Sequence, residues 1–165
     1  MAQIYISVGS SINREHYITQ GLHAIADAFN IHFSKLILSS LYESEAVGFA
    51  GAPFYNMVVG LHCSQSIKQV TKILRDIEFA HGRSENAQKY SPRTLDLDIL
   101  LYDDLILESP AQIPRAEICT NAFVLWPLSE VAPTLCHPVL KKSYQELWQQ
   151  YDKESQQLNI VNNCW

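Results

Sequence analysis

An α+β sandwich is the fold class the sequence predicts, with a mostly antiparallel sheet and helices on both faces. Three observations predict it. Period-two alternation of apolar residues, the signature of a strand, recurs at residues 3–9, 54–62 and from Thr94 onward. Helical spacing of apolar residues separates these stretches, in Ile18-Leu22-Ile25-Phe29 and again between Ile67 and Ile77. The elements therefore interleave as βαββαβ before further helices follow, which argues for layers rather than a bundle or a barrel. With 165 residues and 47% hydrophobic content, the chain fits one domain, residues 1–165, with a substantial core.

The first strand ends at Gly9-Ser10-Ser11, and Asn13 is placed to cap the first helix, with Glu15 in its first turn. Residues 32–42, rich in Phe, Leu and Ile, read as a second strand. Glu43 to Pro53 carries Gly48, Gly51 and Pro53 without a regular period, and reads as a mobile surface loop, near the length at which loops tend to be functional. Residues 54–62 then alternate, with Tyr55, Met57, Val59 and Leu61 on one face and Phe54, Asn56, Val58 and Gly60 on the other. Ser66 can cap a helix that runs to His81 and stops at Gly82. Its Lys68 and Lys72 read as a solvated face, and Glu78 lies near the apolar side at the helix end. Arg83 to Tyr90 form a polar loop. Asp103-Asp104 is a turn, and Leu105 to Leu107 a short returning strand. After the apolar segment Ala122–Leu128, Ser143 and Glu146 make a capping box for a last helix bearing Tyr144, Leu147, Trp148 and Tyr151. From about Gln156 the tail is polar and expected to be poorly ordered. The βαββαβ order is that of a ferredoxin-like core.

The chemistry-bearing stretch is Pro92-Arg93-Thr94-Leu95-Asp96-Leu97-Asp98-Ile99. Alternation sends Leu95, Leu97 and Ile99 one way and Asp96 and Asp98 the other. Two carboxylates side by side repel, and a divalent cation removes the conflict. Mg²⁺ is suited, because it takes one or two carboxylates together with phosphate oxygens and waters. Arg93 has the fork that matches phosphate. The competing account is an ordinary strand with a solvated acidic face. Phe54 and Asn56 can stack on and read the edge of a flat heterocycle, or serve a core and a neighbouring backbone group. Phe123 is a second aromatic slab or simply core.

A formal net charge of −5 argues against nucleic acid or an anionic membrane as the main partner. No apolar run approaches the roughly 20 residues that span a bilayer. The opening Met-Ala-Gln-Ile-Tyr-Ile reads as a strand, not a signal peptide. Cys63, Cys119, Cys136 and Cys164 are scattered, so free thiols in a cytoplasmic setting are expected rather than disulfides or a zinc site.

These residues together resemble the 6-hydroxymethyl-7,8-dihydropterin pyrophosphokinase family, over roughly residues 3–150. The Pro92–Ile99 stretch is similar to its signature, Gly9-Ser10 to the turn after its first strand, and Tyr42-Glu43-Ser44-Glu45 with Val47-Gly48 to its pterin loop. Phe54-Tyr55-Asn56 is similar to its aromatic-x-Asn element. Glu78 before Gly82-Arg83, and Phe123–Leu128 with Ala132-Pro133, extend the match. The resemblance implies transfer of pyrophosphate from ATP to the pterin's hydroxymethyl group with release of AMP, on two Mg²⁺ ions held by Asp96 and Asp98. It implies Arg83 and Arg93 as catalytic cations, and Glu78, Lys89, Tyr90, Ile99 and Arg115 at the nucleotide. It places Ser44, Glu45, Val47, Gly48, Phe54, Asn56 and Phe123 at the pterin. The partners implied are these two small molecules, handled by a monomer. No histidine base is needed, because metal chemistry can supply that role.

Three positions depart from the family's pattern. Ser11 stands where Asn is usual, Arg115 where His is usual, and Asn121 where the family has Arg. Loss of an arginine aimed at phosphate is costly in rate, and Arg115 is the residue available to compensate. The alternative to an active enzyme is a paralogue that binds pterin or nucleotide with weak or redirected transferase activity on a different pterin.

Overall fold

The computed structural model describes residues 1–44, 53–83 and 93–165. In chain order come β1 (Ala2–Ser10), α1 (Arg14–Ala28), β2 (Ile37–Leu38), β3 (Leu41–Ser44), β4 (Phe54–Cys63), α2 (Ile67–Ala80), β5 (Asp96–Tyr102), α3 (Glu117–Thr120), α4 (Ala122–Val131), α5 (Tyr144–Gln150) and β6 (Asn159–Val161). The sheet runs β5-β1-β4-β3-β6, with β2 also on β4. Every strand pair among the described residues is antiparallel. The predicted α+β sandwich is the fold observed.

Alternation along the strands builds two cores. Ile4, Ile6 and Val8 of β1, Met57, Val59 and Leu61 of β4, and Leu97 and Ile99 of β5 pack under Ile18, Leu22 and Ile25 of α1 and Val70, Leu74 and Ile77 of α2. Tyr5, Val58, Leu100 and Leu101 face the other way and meet Val124, Leu125 and Leu128 of α4 and Tyr144 of α5. Burial on both faces supplies the main driving force for the sheet. α2 is capped as expected, with Ser66 and Gln69 forming a full capping box and Gly82 at φ 96° ending the helix.

Four local expectations are corrected. Asn13 precedes α1 but adopts the left-handed region and makes no side-chain cap. The strand expected over 32–42 is broken, because Phe33–Lys35 form a 3-10 turn capped by His32. The pairing also slips by one residue between Leu38↔Val59 and Tyr42↔Asn56. The slip is a bulge held by serines: Val58 N donates to Ser39 Oγ at 2.9 Å, and Ser40 N and Oγ both donate to Glu130 at 2.6 Å. Leu105–Leu107 is no strand. A single bridge joins Leu107 to Ile113. The tail is held rather than loose: β6 pairs with β3, Thr19 Oγ1 donates to the Cys164 carbonyl at 2.9 Å, and Val161, Cys164 and Trp165 pack on the first core. The edge of β3 supplies backbone partners that a polar tail sequence does not advertise.

Gly60 lies against a rigid ring, and a Cβ there would stand 2.7 Å from Tyr5 Cε1. Gly60→Val is expected to destabilise the protein by about 1–2 kcal/mol, since overpacking outweighs valine's preference for strands. A lower urea midpoint at unchanged slope would show it, and an unchanged midpoint would count against tight packing here.

Candidate functional site

Asp96 is the first residue of β5, and the register sets it opposite Gly9, which lies opposite Asn56, which lies opposite Tyr42. Opposed residues share a face of the sheet. Asp96, Asp98, Asn56 and Phe54 therefore stand together on the face away from α1 and α2, at the end that α3–α5 do not bury. Gly9 keeps the middle of the row open: a Cβ there would lie 3.0 Å from Asn56 Oδ1 and 3.8 Å from Phe54 Cδ1.

The two carboxylates retain 37% and 33% of their side-chain exposure, yet protein atoms crowd them. Burial, together with the charge of Asp96, pushes Asp98 up to about 6 against the lowering influence of Arg115. Burial also raises Asp96; Arg93 opposes the rise and Glu78 adds to it. Arg93 Nη1 lies 3.7 Å from Asp96, and Arg115 Nη2 lies 3.5 Å from Asp98. Arg115 Nε also pairs with Glu117 at 3.0 Å. Among the described residues no group of three or more His, Cys, Asp or Glu gathers around one point. A crowded pair of oxygen donors with raised proton affinity nonetheless suits a hard divalent cation that completes its shell with phosphate and water.

The cations are held by a frame behind this face. Glu78 is 2% exposed; one carboxylate oxygen pairs with Arg83 at 2.6 Å and the other accepts Leu97 N at 2.9 Å. Glu78 thus faces Arg83 and the β5 backbone, close enough to Asp96 to push its carboxyl up. Ser11 is buried and ties down Arg93: Arg93 N donates to Ser11 Oγ at 2.9 Å, and Ser11 N donates to the Arg93 carbonyl at 2.9 Å. Arg115 is placed by a second bulge. Between Tyr5↔Leu101 and Ile6↔Ile99 the register leaves Leu100 over, and the Leu100 carbonyl accepts Arg115 N at 3.0 Å. Ile99, expected at the nucleotide, buries its side chain in the first core because alternation turns it away from the aspartates.

On the other side of the row, Asn56 Nδ2 donates to Ser44 Oγ at 3.1 Å. A cavity of about 500 Å³ is lined by Glu43, Ser44, Pro53 and Phe123, and by Ser155, Gln156 and other tail residues. The sequence reading missed Arg14, Glu117 and Gln156. Arg14 clamps the stems of the segment between β3 and β4, pairing with Glu43 at 2.7 Å, donating to the Pro53 carbonyl and covering the Tyr55 ring at 3.9 Å. Glu117, two residues after Arg115, was a legible signal; Arg14 and Gln156 act through long-range contacts that no local pattern marks. Glu45, Val47, Gly48, Lys89 and Tyr90 lie outside the described residues.

Residues 5–133 match the family model described as 7,8-dihydro-6-hydroxymethylpterin-pyrophosphokinase (HPPK). Proteins named 2-amino-4-hydroxy-6-hydroxymethyldihydropteridine pyrophosphokinase are similar over most of their length. The one from Aquifex aeolicus is 30% identical, covering 88% of this chain and 90% of its own. That from Pseudomonas aeruginosa is 34% identical, with 82% and 84% covered, and that from Porphyromonas gingivalis 35%, with 84% and 95%. Among solved structures, wild-type Plasmodium falciparum HPPK-DHPS with pteroate superimposes at a TM-score of 0.70 and 13% identity over 93% of this chain. The match covers 43% of that longer chain and speaks for the fold alone.

Two outcomes follow from the frame. Ser11→Ala strands the Arg93 N–H and is expected to cost about 1–3 kcal/mol by urea denaturation, whereas an unaltered midpoint would mean water serves equally well. Glu78→Ala leaves Arg83 and Leu97 N without their acceptor and is expected to cost about 3–5 kcal/mol, with Glu78→Gln clearly milder. Equal losses in the two variants would show that the Leu97 bond contributes nothing.

Proposed function

Because the chain belongs to the 7,8-dihydro-6-hydroxymethylpterin-pyrophosphokinase family, and so is an ATP-dependent diphosphotransferase of folate biosynthesis, we propose that the transfer runs across the open end of this sheet face. The enzyme moves pyrophosphate from ATP to the hydroxymethyl group of 6-hydroxymethyl-7,8-dihydropterin and releases AMP. The hydroxymethyl oxygen loses its proton and bonds to the β-phosphorus, and the bond from that phosphorus to the oxygen bridging the α-phosphate breaks, leaving with AMP. The observation that supports the assignment of residues is the row Asp96–Gly9–Asn56, in which a carboxylate and a carboxamide share one surface on either side of a glycine.

Asp96 and Asp98 hold the divalent cations of the nucleotide, for which two Mg²⁺ ions fit the oxygen-donor set. When bound, Mg²⁺ screens the triphosphate and lowers the proton affinity of the oxygens it touches. Arg93 and Arg115, which balance the carboxylates, turn donors toward phosphate oxygens, and Arg83, oriented by Glu78, adds a third guanidinium. The family resemblance assigns Lys89 and Tyr90 to the nucleotide as well. Phe54 and Phe123 stack on the pterin, and Asn56, with its orientation set by Ser44, reads the ring's edge. The family resemblance assigns Glu45, Val47 and Gly48 to the pterin as well. The residues supply alignment and charge, which is most of what this class of reaction asks of a protein. The relatives compared carry the pyrophosphokinase name, which favours the transferase over a binding-only paralogue. A cytoplasmic setting fits the four unpaired thiols, and the chain is proposed to act as a monomer on its two small-molecule substrates. Among the described residues no helix is long and apolar enough to cross a membrane.

Incubation with Mg²⁺, ATP and 6-hydroxymethyl-7,8-dihydropterin should yield AMP in step with pterin diphosphate; ADP in place of AMP, or pterin binding without turnover, would overturn the reading. Asp98→Asn should lower turnover about a thousand-fold or more and leave the thermal midpoint unchanged or higher, because it removes a like-charge contact. It should also abolish the dependence of nucleotide affinity on Mg²⁺. A markedly lower midpoint would assign Asp98 a structural role instead.

A further inference from the structure

We propose that Gln156, in the strap between α5 and β6, is a positioning residue for the pterin-stacking wall and acts through the first turn of α4. The inference rests on the assignment of Phe123 to the pterin made above. Asn121 is the N-cap residue of α4 but gives that helix no side-chain cap. Gln156 supplies one from the other end of the chain: its Oε1 accepts Ala122 N at 2.7 Å, and its Nε2 donates to Asn121 Oδ1 at 3.3 Å. Ala122 is the residue immediately before Phe123.

The strap is itself anchored on both sides. Tyr151 Oη donates to the Thr120 carbonyl at 2.9 Å, and β6 pairs along β3. β3 ends at Ser44, whose hydroxyl accepts the Asn56 amide. Ser44, Phe123 and Gln156 all line the same cavity of about 500 Å³. The Gln156 amide therefore sets the spacing between the wall carrying Phe123 and the wall carrying Ser44 and Asn56. Without it the first turn of α4 has an unsatisfied N–H and frays, and a stacking ring displaced by even an ångström loses much of its contact.

The test is calorimetric titration of the intact protein with 6-hydroxymethyl-7,8-dihydropterin, and separately with a non-hydrolysable Mg²⁺–ATP analogue. Gln156→Leu should weaken pterin binding about ten-fold and move nucleotide affinity by less than about two-fold. Gln156→Glu should stay near wild type, since a carboxylate still accepts from Ala122, suits a helix N-terminus, and lets the Asn121 amide turn to donate. Unchanged pterin affinity in Gln156→Leu overturns the proposal; so does an equal loss for both ligands, or a loss in Gln156→Glu as large as in Gln156→Leu. Should Gln156→Leu fail to fold, Asn121→Ala decides: an approximately three-fold loss confined to the pterin supports the role, and none refutes it. Wild-type protein that binds no pterin would instead sink the assignment of the pocket.

Discussion

Two carboxylates two residues apart on one strand cannot both be comfortably charged, and much of the structure around β5 answers that constraint. Side chains at that spacing are roughly 7 Å apart, so their repulsion is about 2 kcal/mol at an effective dielectric near 20. Crowding by protein atoms adds to it, which is why Asp98 rises to about 6. An apolar replacement would relieve the conflict at once, yet the chain places Arg93 and Arg115 against the pair instead. The two carboxylates are the donors that would hold a doubly charged cation, and the two guanidiniums beside them would suit an anion such as phosphate.

Backbone irregularities, more than side-chain identities, aim those groups. The bulge at Leu100 does two things at once. It turns both Leu100 and Leu101 into the second core, and it presents the Leu100 carbonyl to Arg115 N, bringing a loop guanidinium to Asp98. The bulge at Ser39–Ser40 re-aims β3 so that Ser44 lands opposite Phe54 and meets Asn56. In each case one extra residue shifts the register, and with it the face a side chain uses, which is the strongest lever a sheet offers.

The fold was legible wherever one period ran uninterrupted. β1, β4, the start of β5 and α2 announce themselves through alternation or 3.6-residue spacing, and the same alternation puts Asp96 and Asp98 on one face of β5. What escaped was set by distant partners. The register slip at Ser39–Ser40 depends on Glu130, ninety positions from Ser40, and the pairing of the tail depends on the edge of β3. Ile99 was drawn to the nucleotide by resemblance, although its own position in the alternation sends its side chain into the core. The partners of Glu78 were not legible, because helical spacing gives a direction around an axis and not the groups found there.

The three departures from the family's pattern share a property that argues against decay. Ser11 makes reciprocal hydrogen bonds with the Arg93 backbone, so the shorter side chain holds the arginine's base rather than loosening it. Arg115 is engaged on both sides, by Asp98 and by Glu117, and a histidine could not hold a permanent charge between two carboxylates. Asn121 receives the Gln156 amide, a contact that links the strap to the wall of the pocket. Drift at a disused site would leave substituted positions with broken partners, as a buried donor or acceptor left behind costs free energy without any compensating use. Here each of these residues is tied into a contact involving another part of the chain, beside the carboxylate pair or at the first turn of α4. Each of the three residues is thus held by specific partners in this fold.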